Sequence, residues 1–218
     1  MRIFILIFFI FVNLQADKLD IFLDKNGKPL SAKKQKFLEL ILPPLNQVYD
    51  RQLWQYNEVK YYMDNGMKSH QIDNLKKEYH ITDNQKLLIA IYPIPKSIVL
   101  AQSAMESNWA TSRFFKEANN IFGIWSYNKN EPRIPALKKR GDKTIYLKKY
   151  DNIKQSIIDY YHKMSHGKNF VKLRKDCHNH ESSEVLANDL DKYSEIGKEY
   201  SKHLISIIRY NKFEEFNK

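Results

Sequence analysis

The 218-residue chain is long enough for one substantial domain, and its 43% hydrophobic and 13% aromatic content excludes an intrinsically disordered protein. A formal net charge of +11 favours contact with polyanions, but the charge is mostly lysine and is spread along the whole chain. No arginine-rich run or recognition-helix pattern accompanies this charge, so nucleic-acid binding is not predicted.

Residues 1–16 have the pattern of an export segment. Arg2 precedes an apolar run over residues 3–12, and the small residue Ala16 stands just before charged residues. This is the order of a secretory signal peptide, and the run is shorter than the roughly 20 residues of a membrane span. We therefore predict an exported, periplasmic or cell-envelope protein. If this segment is not cleaved, it acts as an N-terminal anchor, which is the only membrane contact that we predict.

The region from residue 17 to 92 is predicted to be α-helical. Ser31 is a favourable N-cap for a helix with apolar residues at three-to-four spacing, and Pro43-Pro44 is expected to kink or break that helix. Shorter helices are expected over residues 71–79 and 83–92.

The second region, residues 93–218, opens with the most apolar helix of the chain. Pro95 suits the first turn of a helix running from Lys96 to about Glu106. Because this helix is apolar nearly all round, we expect it to be buried.

A small β-hairpin lobe is predicted over residues 128–150, where a turn at 140–143 leads into alternating apolar and polar residues. Asp151 is expected to cap the following amphipathic helix, and the last helix is expected to begin near Ser194. The predicted fold class is mainly α, with a helical bundle and one small β lobe.

Glu106 carries the strongest chemical signal. It follows nine uncharged residues at the end of a helix that we expect to be buried, and burial raises the pKa of a carboxyl group. A carboxylic acid that stays protonated near neutral pH is what protonation of a glycosidic oxygen requires. Polar residues and Trp109 follow directly, which is the mixture that a sugar site needs. An ordinary solvated glutamate at a helix end is the competing interpretation.

Cys177 is the single cysteine, so no intramolecular disulfide forms. It lies in the sequence CHNHE, residues 177–181, whose spacing matches no common zinc pattern. We interpret this segment as a polar surface turn and predict neither a metal site nor a cofactor.

Two motifs in the second region resemble the glucosaminidase family of peptidoglycan hydrolases, and within it the bacterial Bax-like proteins. Residues 101–114 read AQSAMESNWATSRF, close to the family pattern AQxALESGWGTS. Residues 119–125 read NNIFGIW, close to the family's NNLFG, and they follow in the same order and at a similar separation. The weaker resemblance extends over roughly residues 30–210.

The resemblance implies a lysozyme-like glucosaminidase domain over residues 93–218, acting on peptidoglycan glycan strands. Glu106 corresponds to the family's general acid, and Tyr193 to a tyrosine that faces it. The other positions that the motifs place at the substrate are Gln102, Trp109, Ser112, Asn119, Asn120, Phe122, Gly123 and Trp125. Structural roles are the alternative for the two asparagines, which can bond a turn, and for Phe122 and Trp125, which can belong to the core.

The chain departs from the family pattern where Asn108 and Ala110 replace glycines. If those positions need a left-handed backbone, asparagine adopts it readily, whereas alanine carries a cost of about 1 kcal/mol. A second carboxylate is not fixed by any motif. Glu131 in the β lobe is the preferred candidate, and the others by sequence are Glu117, Asp142 and Asp151. The substrate's own N-acetyl oxygen is an alternative to all of them.

Three functions remain open from the sequence. The first is an endo-β-N-acetylglucosaminidase that cleaves the β-1,4 bond after N-acetylglucosamine. The second is a lytic transglycosylase that cleaves after N-acetylmuramic acid. The third is a non-catalytic wall-binding or assembly factor, which the altered glycines and the unassigned second carboxylate favour. Protein partners are not indicated by any motif.

Overall fold

The computed structural model describes residues 22–137 and 139–218, so the predicted export segment lies outside the described residues. The described chain is mainly helical, with one two-stranded antiparallel sheet. Its elements are, in order, α1 (Ala32–Asp64), α2 (His70–Tyr79), α3 (Asn84–Ile91), α4 (Lys96–Glu106), α5 (Arg113–Ala118), β1 (Arg133–Pro135), β2 (Tyr146–Lys148), α6 (Ile153–His166), α7 (Val171–His178), α8 (Ser183–Asn188) and α9 (Lys198–Tyr210). Short 3₁₀ helices cover Lys168–Phe170 and Phe213–Asn217.

The first helix is one continuous element, so of the kink or break predicted at Pro43-Pro44 the break is wrong. Each proline removes a backbone donor, but apolar side chains on both sides of the pair, Ile41 and Leu45 among them, are fully buried. Packing of this face against the core offsets the lost hydrogen bonds. Ser31 occupies the N-cap position, although its side chain makes no capping hydrogen bond.

The long helix α1 belongs to two hydrophobic clusters. Its first half, through Phe37, Leu38 and Val48, packs in the main core with α4, α6 and α9. Its second half, through Tyr56 and Val59, packs with α2 and α3 in a smaller cluster. The predicted division at residue 92 lies between α3 and α4, and α1 packs on both sides of it.

The helix α4 is buried nearly all round, as its composition predicts. Every residue from Lys96 to Ala104 is buried, and the helix is enclosed by α1, α8, α9 and the 3₁₀ segment Phe213–Asn217. Its last residue, Glu106, is where this buried helix reaches the surface of the core. Residues 22–137 and 139–218 contain no single helix with the length and apolar composition to cross a membrane; only α3 and α4 taken together, bent by 50°, have both.

The predicted β-hairpin lobe is confirmed. Strands β1 and β2 pair antiparallel, with Arg133 opposite Lys148 and Pro135 opposite Tyr146. An isolated bridge between Arg140 and Lys143 closes the predicted turn, which contains Gly141 at a φ of +58°. Glycine adopts this left-handed backbone without strain.

Two helix starts differ from the prediction. Asn152, not Asp151, caps α6, because its side-chain oxygen accepts from the backbone N–H of Gln155 at 3.1 Å. The last helix begins at Lys198 and not near Ser194, because the chain forms a turn up to Gly197, whose φ is +57°.

Candidate active site

A left-handed turn leads the chain out of α4. Asn108, Trp109 and Ala110 have φ values of 51°, 61° and 59°, so positions 108 and 110 do require the left-handed backbone that the sequence left as a condition. Ser107 holds the turn: its hydroxyl donates to the carbonyl of Ser103 at 2.6 Å and accepts from the N–H of Ala110 at 2.8 Å. The turn fixes the direction in which the chain leaves Glu106.

Ala110→Gly is expected to stabilise the protein by about 1 kcal/mol, because glycine adopts a left-handed backbone without the Cβ clash that alanine suffers. Denaturant unfolding of both proteins measures the difference. Ala136→Gly is the matched control, since position 136 does not have a positive φ, and it should give no gain. Equal stability of Ala110→Gly and the wild type would show that the turn is unstrained.

Glu106 lies at the base of a cleft, with its carboxyl group largely withdrawn from water. The Tyr200 hydroxyl donates to Oε1 at 2.8 Å. The backbone of Gly123 also passes beside the carboxyl: a Cβ at this position would stand 3.7 Å from Oε2, an ordinary van der Waals contact. Glycine is favoured here by its φ of +63°. Burial raises the pKa of Glu106, and this outweighs the hydrogen bond from Tyr200 and the charge of Lys163, which lower it. The group is thus suited to hold a proton and deliver it.

Behind Glu106 runs a buried hydrogen-bond chain. The Tyr160 hydroxyl donates to Gln102 Oε1 at 2.5 Å, and Gln102 Nε2 donates to the Tyr200 hydroxyl at 3.0 Å. Gln102 is 0% exposed, so its predicted contact with substrate is wrong. The amide instead fixes the tyrosine that holds the carboxyl.

Tyr193 lines the cleft beside Tyr200. The two rings stack at 5.5 Å, and the Tyr193 hydroxyl donates to the carbonyl of Phe122 at 3.4 Å. The Nζ of Lys163 stands 4.5 Å from the centre of the Tyr193 ring. The direct partner of Glu106 is therefore Tyr200, which the sequence analysis missed. Its position on the apolar face of the last helix indicates a core residue and gives no sign of this contact.

The asparagine pair builds the loop that carries Gly123. Asn119 has a φ of 50° and donates through Nδ2 to the carbonyl of Tyr150 at 2.9 Å. Asn120 is buried, donates to the carbonyls of Ile124 and Lys148, and accepts from the N–H of Ile124, each at 2.9 Å. Both amides thus bind backbone, which corrects their predicted substrate contact.

The aromatic residue of the same loop, Phe122, is 2% exposed and stacks on Tyr160 at 4.2 Å. It is one of the residues that line the cleft, and its neighbour Gly123 lies against the carboxyl of Glu106.

Trp109 and Ser112 lie away from the cleft. The Trp109 ring packs edge-on against Phe37 at 5.2 Å, and the Nζ of Lys34 stands 4.7 Å from its centre. The Ser112 hydroxyl accepts from the N–H of Phe115 and caps α5. The sequence placed both at the substrate because they adjoin Glu106, but the left-handed turn directs them elsewhere.

The cleft has a volume of about 890 Å³. It offers aromatic surface, with Trp125 37% exposed and Tyr127 84% exposed, together with both charge signs. Its lining residues are Glu106, Phe122, Gly123, Ile124, Trp125, Tyr127, Arg140, Lys148, Asp159, His162, Lys163, Tyr193, Ser194, Glu195 and Ile196.

The structure shows which candidates for the second carboxylate lie near the cleft and which do not. Asp159, which the sequence analysis missed, lines the cleft and accepts from Lys148 at 2.9 Å and from the Tyr150 hydroxyl at 2.6 Å. Glu131 accepts from the Ser126 hydroxyl at 2.7 Å and lies 3.9 Å from the same lysine.

The three weaker candidates are exposed and do not line the cleft: Glu117, Asp142 and Asp151. Glu117 pairs with Arg113 at 2.8 Å, and Asp151 accepts from the side chain of Gln155. Asp159 lines the cleft, and Glu131 lies close to the cleft residue Lys148. Glu195 also lines the cleft, but it is strongly exposed and pairs with Arg140.

The predicted polar surface turn is found at Asn179 and His180, which are exposed, but it does not include Cys177. Cys177 is 1% exposed and packs in the main core. His178 and His180 hydrogen-bond to the hydroxyls of Tyr56 and Tyr92, each at 3.2 Å. The three side chains thus have separate structural roles.

A buried carboxylic acid at the base of an open cleft, between a helical bundle and a small β lobe, is the arrangement of a glycoside hydrolase. The family model of glucosaminidases, described as mannosyl-glycoprotein endo-β-N-acetylglucosaminidase, matches residues 83–213. This is more than half of the chain, and the protein therefore belongs to the glucosaminidase family. No curated protein sequence matches the chain.

Three solved structures are similar to the chain. The catalytic domain of the autolysin Auto from Listeria monocytogenes superposes with a TM-score of 0.51 and 19% identity, over 86% of this chain and 89% of that one. A peptidoglycan hydrolase from Sphingomonas sp. A1 gives 0.47 and 19% over 60% and 83% of the two chains. An N-acetylmuramoyl-L-alanine amidase from Staphylococcus aureus gives 0.46 and 24% over 67% and 42%. The first match establishes a common mainly α architecture.

Proposed function

We propose that the protein is an exported cell-wall hydrolase that cleaves the β-1,4 bond after N-acetylglucosamine in peptidoglycan, with Glu106 as general acid. The observation that carries the proposal is the largely buried Glu106 carboxyl at the base of the cleft, whose pKa is raised by burial. In the reaction, the protonated carboxyl delivers its proton to the glycosidic oxygen as the bond to the sugar carbon breaks.

The charged and aromatic lining of the cleft supports a peptidoglycan substrate. Trp125 and Tyr127 offer exposed rings on which sugars stack. Arg140, Lys148 and Lys163 line the same cleft, and peptidoglycan strands carry peptide carboxylates that these cations attract. A neutral glycan would not make use of this charge.

We further propose that Asp159 is the group that faces the positive charge developing on the sugar. Lys148 and Tyr150 both donate to its carboxylate and hold it in place at the cleft wall. The substrate's N-acetyl oxygen is the alternative, because it attacks the same carbon in substrate-assisted glycosidases. Asp159→Asn separates the two: a loss of cleavage as large as that of Glu106→Gln supports Asp159, and near-normal cleavage supports the N-acetyl group.

Mass spectrometry of digested peptidoglycan after borohydride reduction tests the proposed bond. The expected products carry reduced N-acetylglucosamine ends with the wild type and none with Glu106→Gln. Anhydro-N-acetylmuramic acid ends would instead identify a lytic transglycosylase. An absence of new ends, with binding to the wall retained, would identify a non-catalytic wall-binding factor.

A further inference from the structure

Three metal-ligating side chains meet between α2 and α6, outside the glycan chemistry described above. Glu78 comes from α2, and His162 and His166 come from the last turns of α6. Their ligand atoms all lie within 4.8 Å of one another. The two histidines are four residues apart and so share one face of the helix. Glu78 Oε1 stands 3.9 Å from His166 Nε2.

Neighbouring groups orient His166 as metal-bound histidines are oriented. Its Nδ1 lies 2.9 Å from the carbonyl of His162 and 3.0 Å from the Ser165 hydroxyl. With Nδ1 directed at that carbonyl, Nε2 is the ring nitrogen that faces Glu78. Tyr79 stacks on the imidazole at 4.1 Å, and its hydroxyl donates to Ser165 at 3.3 Å. The ring is therefore held in place before any ion arrives.

We propose that Glu78, His162 and His166 form a binding site for Zn²⁺. Two imidazoles and one carboxylate are a ligand set that zinc favours, and a fourth position stays open to water. Tetrahedral ligands about 2.1 Å from the ion stand about 3.4 Å from one another, close to the observed spacing of the ligand atoms. The imidazoles of His162 and His166 stack at 4.0 Å with their planes 23° apart, so His162, which is exposed, has to turn out of the stack for both rings to point at one ion. Mg²⁺ and Ca²⁺ prefer all-oxygen ligands and fit this set poorly.

A zinc ion at this position would affect the protein in two ways. It ties α2 to α6, two helices that belong to different hydrophobic clusters. His162 also lines the cleft, so a bound ion adds positive charge at the cleft rim. Both consequences hold whichever glycosidic bond the protein cleaves.

Zinc affinity of the tag-free chain, measured by competition with a chromophoric chelator, tests the site. One Zn²⁺ per chain is expected, and Zn²⁺ should raise the melting temperature. Glu78→Ala, His162→Ala and His166→Ala should each weaken binding by more than about 100-fold, because loss of an outer-shell partner alone costs about 10–100-fold. Ser165→Ala, which removes such a partner, should cost about 10-fold.

His203→Ala is the matched control, because His203 is exposed on α9 and takes no part in the cluster. It should bind Zn²⁺ like the wild type. Glu78 and His162 are exposed, so their variants should keep the core intact. Unchanged affinity in the Glu78 and His162 variants, or Zn²⁺ binding no tighter than that of Mg²⁺, would overturn the proposal. Because every readout is binding, the result is independent of glycan cleavage.

Discussion

Glu106→Gln is expected to lower the rate of glycan cleavage by about 10²–10⁴-fold, the usual contribution of a general acid. The amide keeps the shape of the carboxyl and can still accept the hydrogen bond from Tyr200, but it has no proton to give to the glycosidic oxygen. Release of new reducing ends from purified peptidoglycan measures the loss. Glu117→Gln is the matched control, since Glu117 is exposed, pairs with Arg113 and does not line the cleft.

Glu106→Gln should also change the stability of the protein in a pH-dependent way. Measuring this change shows whether the variant is folded. Burial raises the folded-state pKa of Glu106 above its unfolded value. The wild type is therefore most stable, with respect to this group, below the unfolded pKa, and it loses stability as the pH rises through the folded pKa. Glutamine cannot ionise, so Glu106→Gln should melt at a higher temperature than the wild type at pH 8 and at a similar one at pH 4. A folded variant that cleaves at the wild-type rate would remove Glu106 from the mechanism.

Local sequence patterns predicted the elements whose structure is decided locally. The uncharged run before Glu106 predicted a buried helix, and the structure has that helix at Lys96–Glu106. Turn residues and alternation around Gly141 predicted the hairpin. The continuous helix through Pro43-Pro44 was not predictable in this way, because what offsets the two prolines is packing against helices that lie far away in the sequence.

The sequence predicted only part of the site, because the rest of it also depends on how distant helices pack. The motif placed Gln102 near the Glu106 carboxyl, but a motif does not say which side of a helix faces the cleft, and Gln102 faces the buried side. Tyr200 lies on α9, and Lys163 and Asp159 lie on α6. Only the packing of these helices brings Tyr200 to Glu106 and the other two residues to the cleft. Each is ordinary by sequence alone.

The sequence did not predict the cluster of Glu78, His162 and His166, for the same reason. Zinc patterns in sequences rest on ligands that are close together along the chain. Here one ligand comes from another helix, and only the two histidines have a recognisable spacing. The sequence around Cys177 has the denser group of ligand types, yet the structure buries its thiol and engages both histidines with tyrosines.

Tyr200→Phe is expected to move the alkaline limb of the pH–rate profile to higher pH. The Tyr200 hydroxyl donates to Glu106, and this bond lowers the pKa of the carboxyl. Without it the pKa rises further, so the acid stays protonated, and active, to a higher pH. At the optimum the rate should fall by about tenfold or more, since a hydrogen bond to a charged group contributes about 1.5–3 kcal/mol and this one also orients the acid. Initial rates on peptidoglycan across the pH range measure both effects.

A purely structural tyrosine would behave differently, and Tyr161→Phe shows how. Tyr161 is also buried, and its hydroxyl donates to the carbonyl of Ile94 at 2.9 Å, outside the chain that leads to Glu106. Tyr161→Phe also removes one buried phenolic hydroxyl, so this variant should lose stability but keep the wild-type pH profile. If Tyr200→Phe likewise loses only stability, the hydroxyl has no role in setting the pKa of Glu106. A shift of the limb in Tyr200→Phe alone assigns to Tyr200 the positioning of the acid, and Gln102, which donates to that hydroxyl, then acts through it.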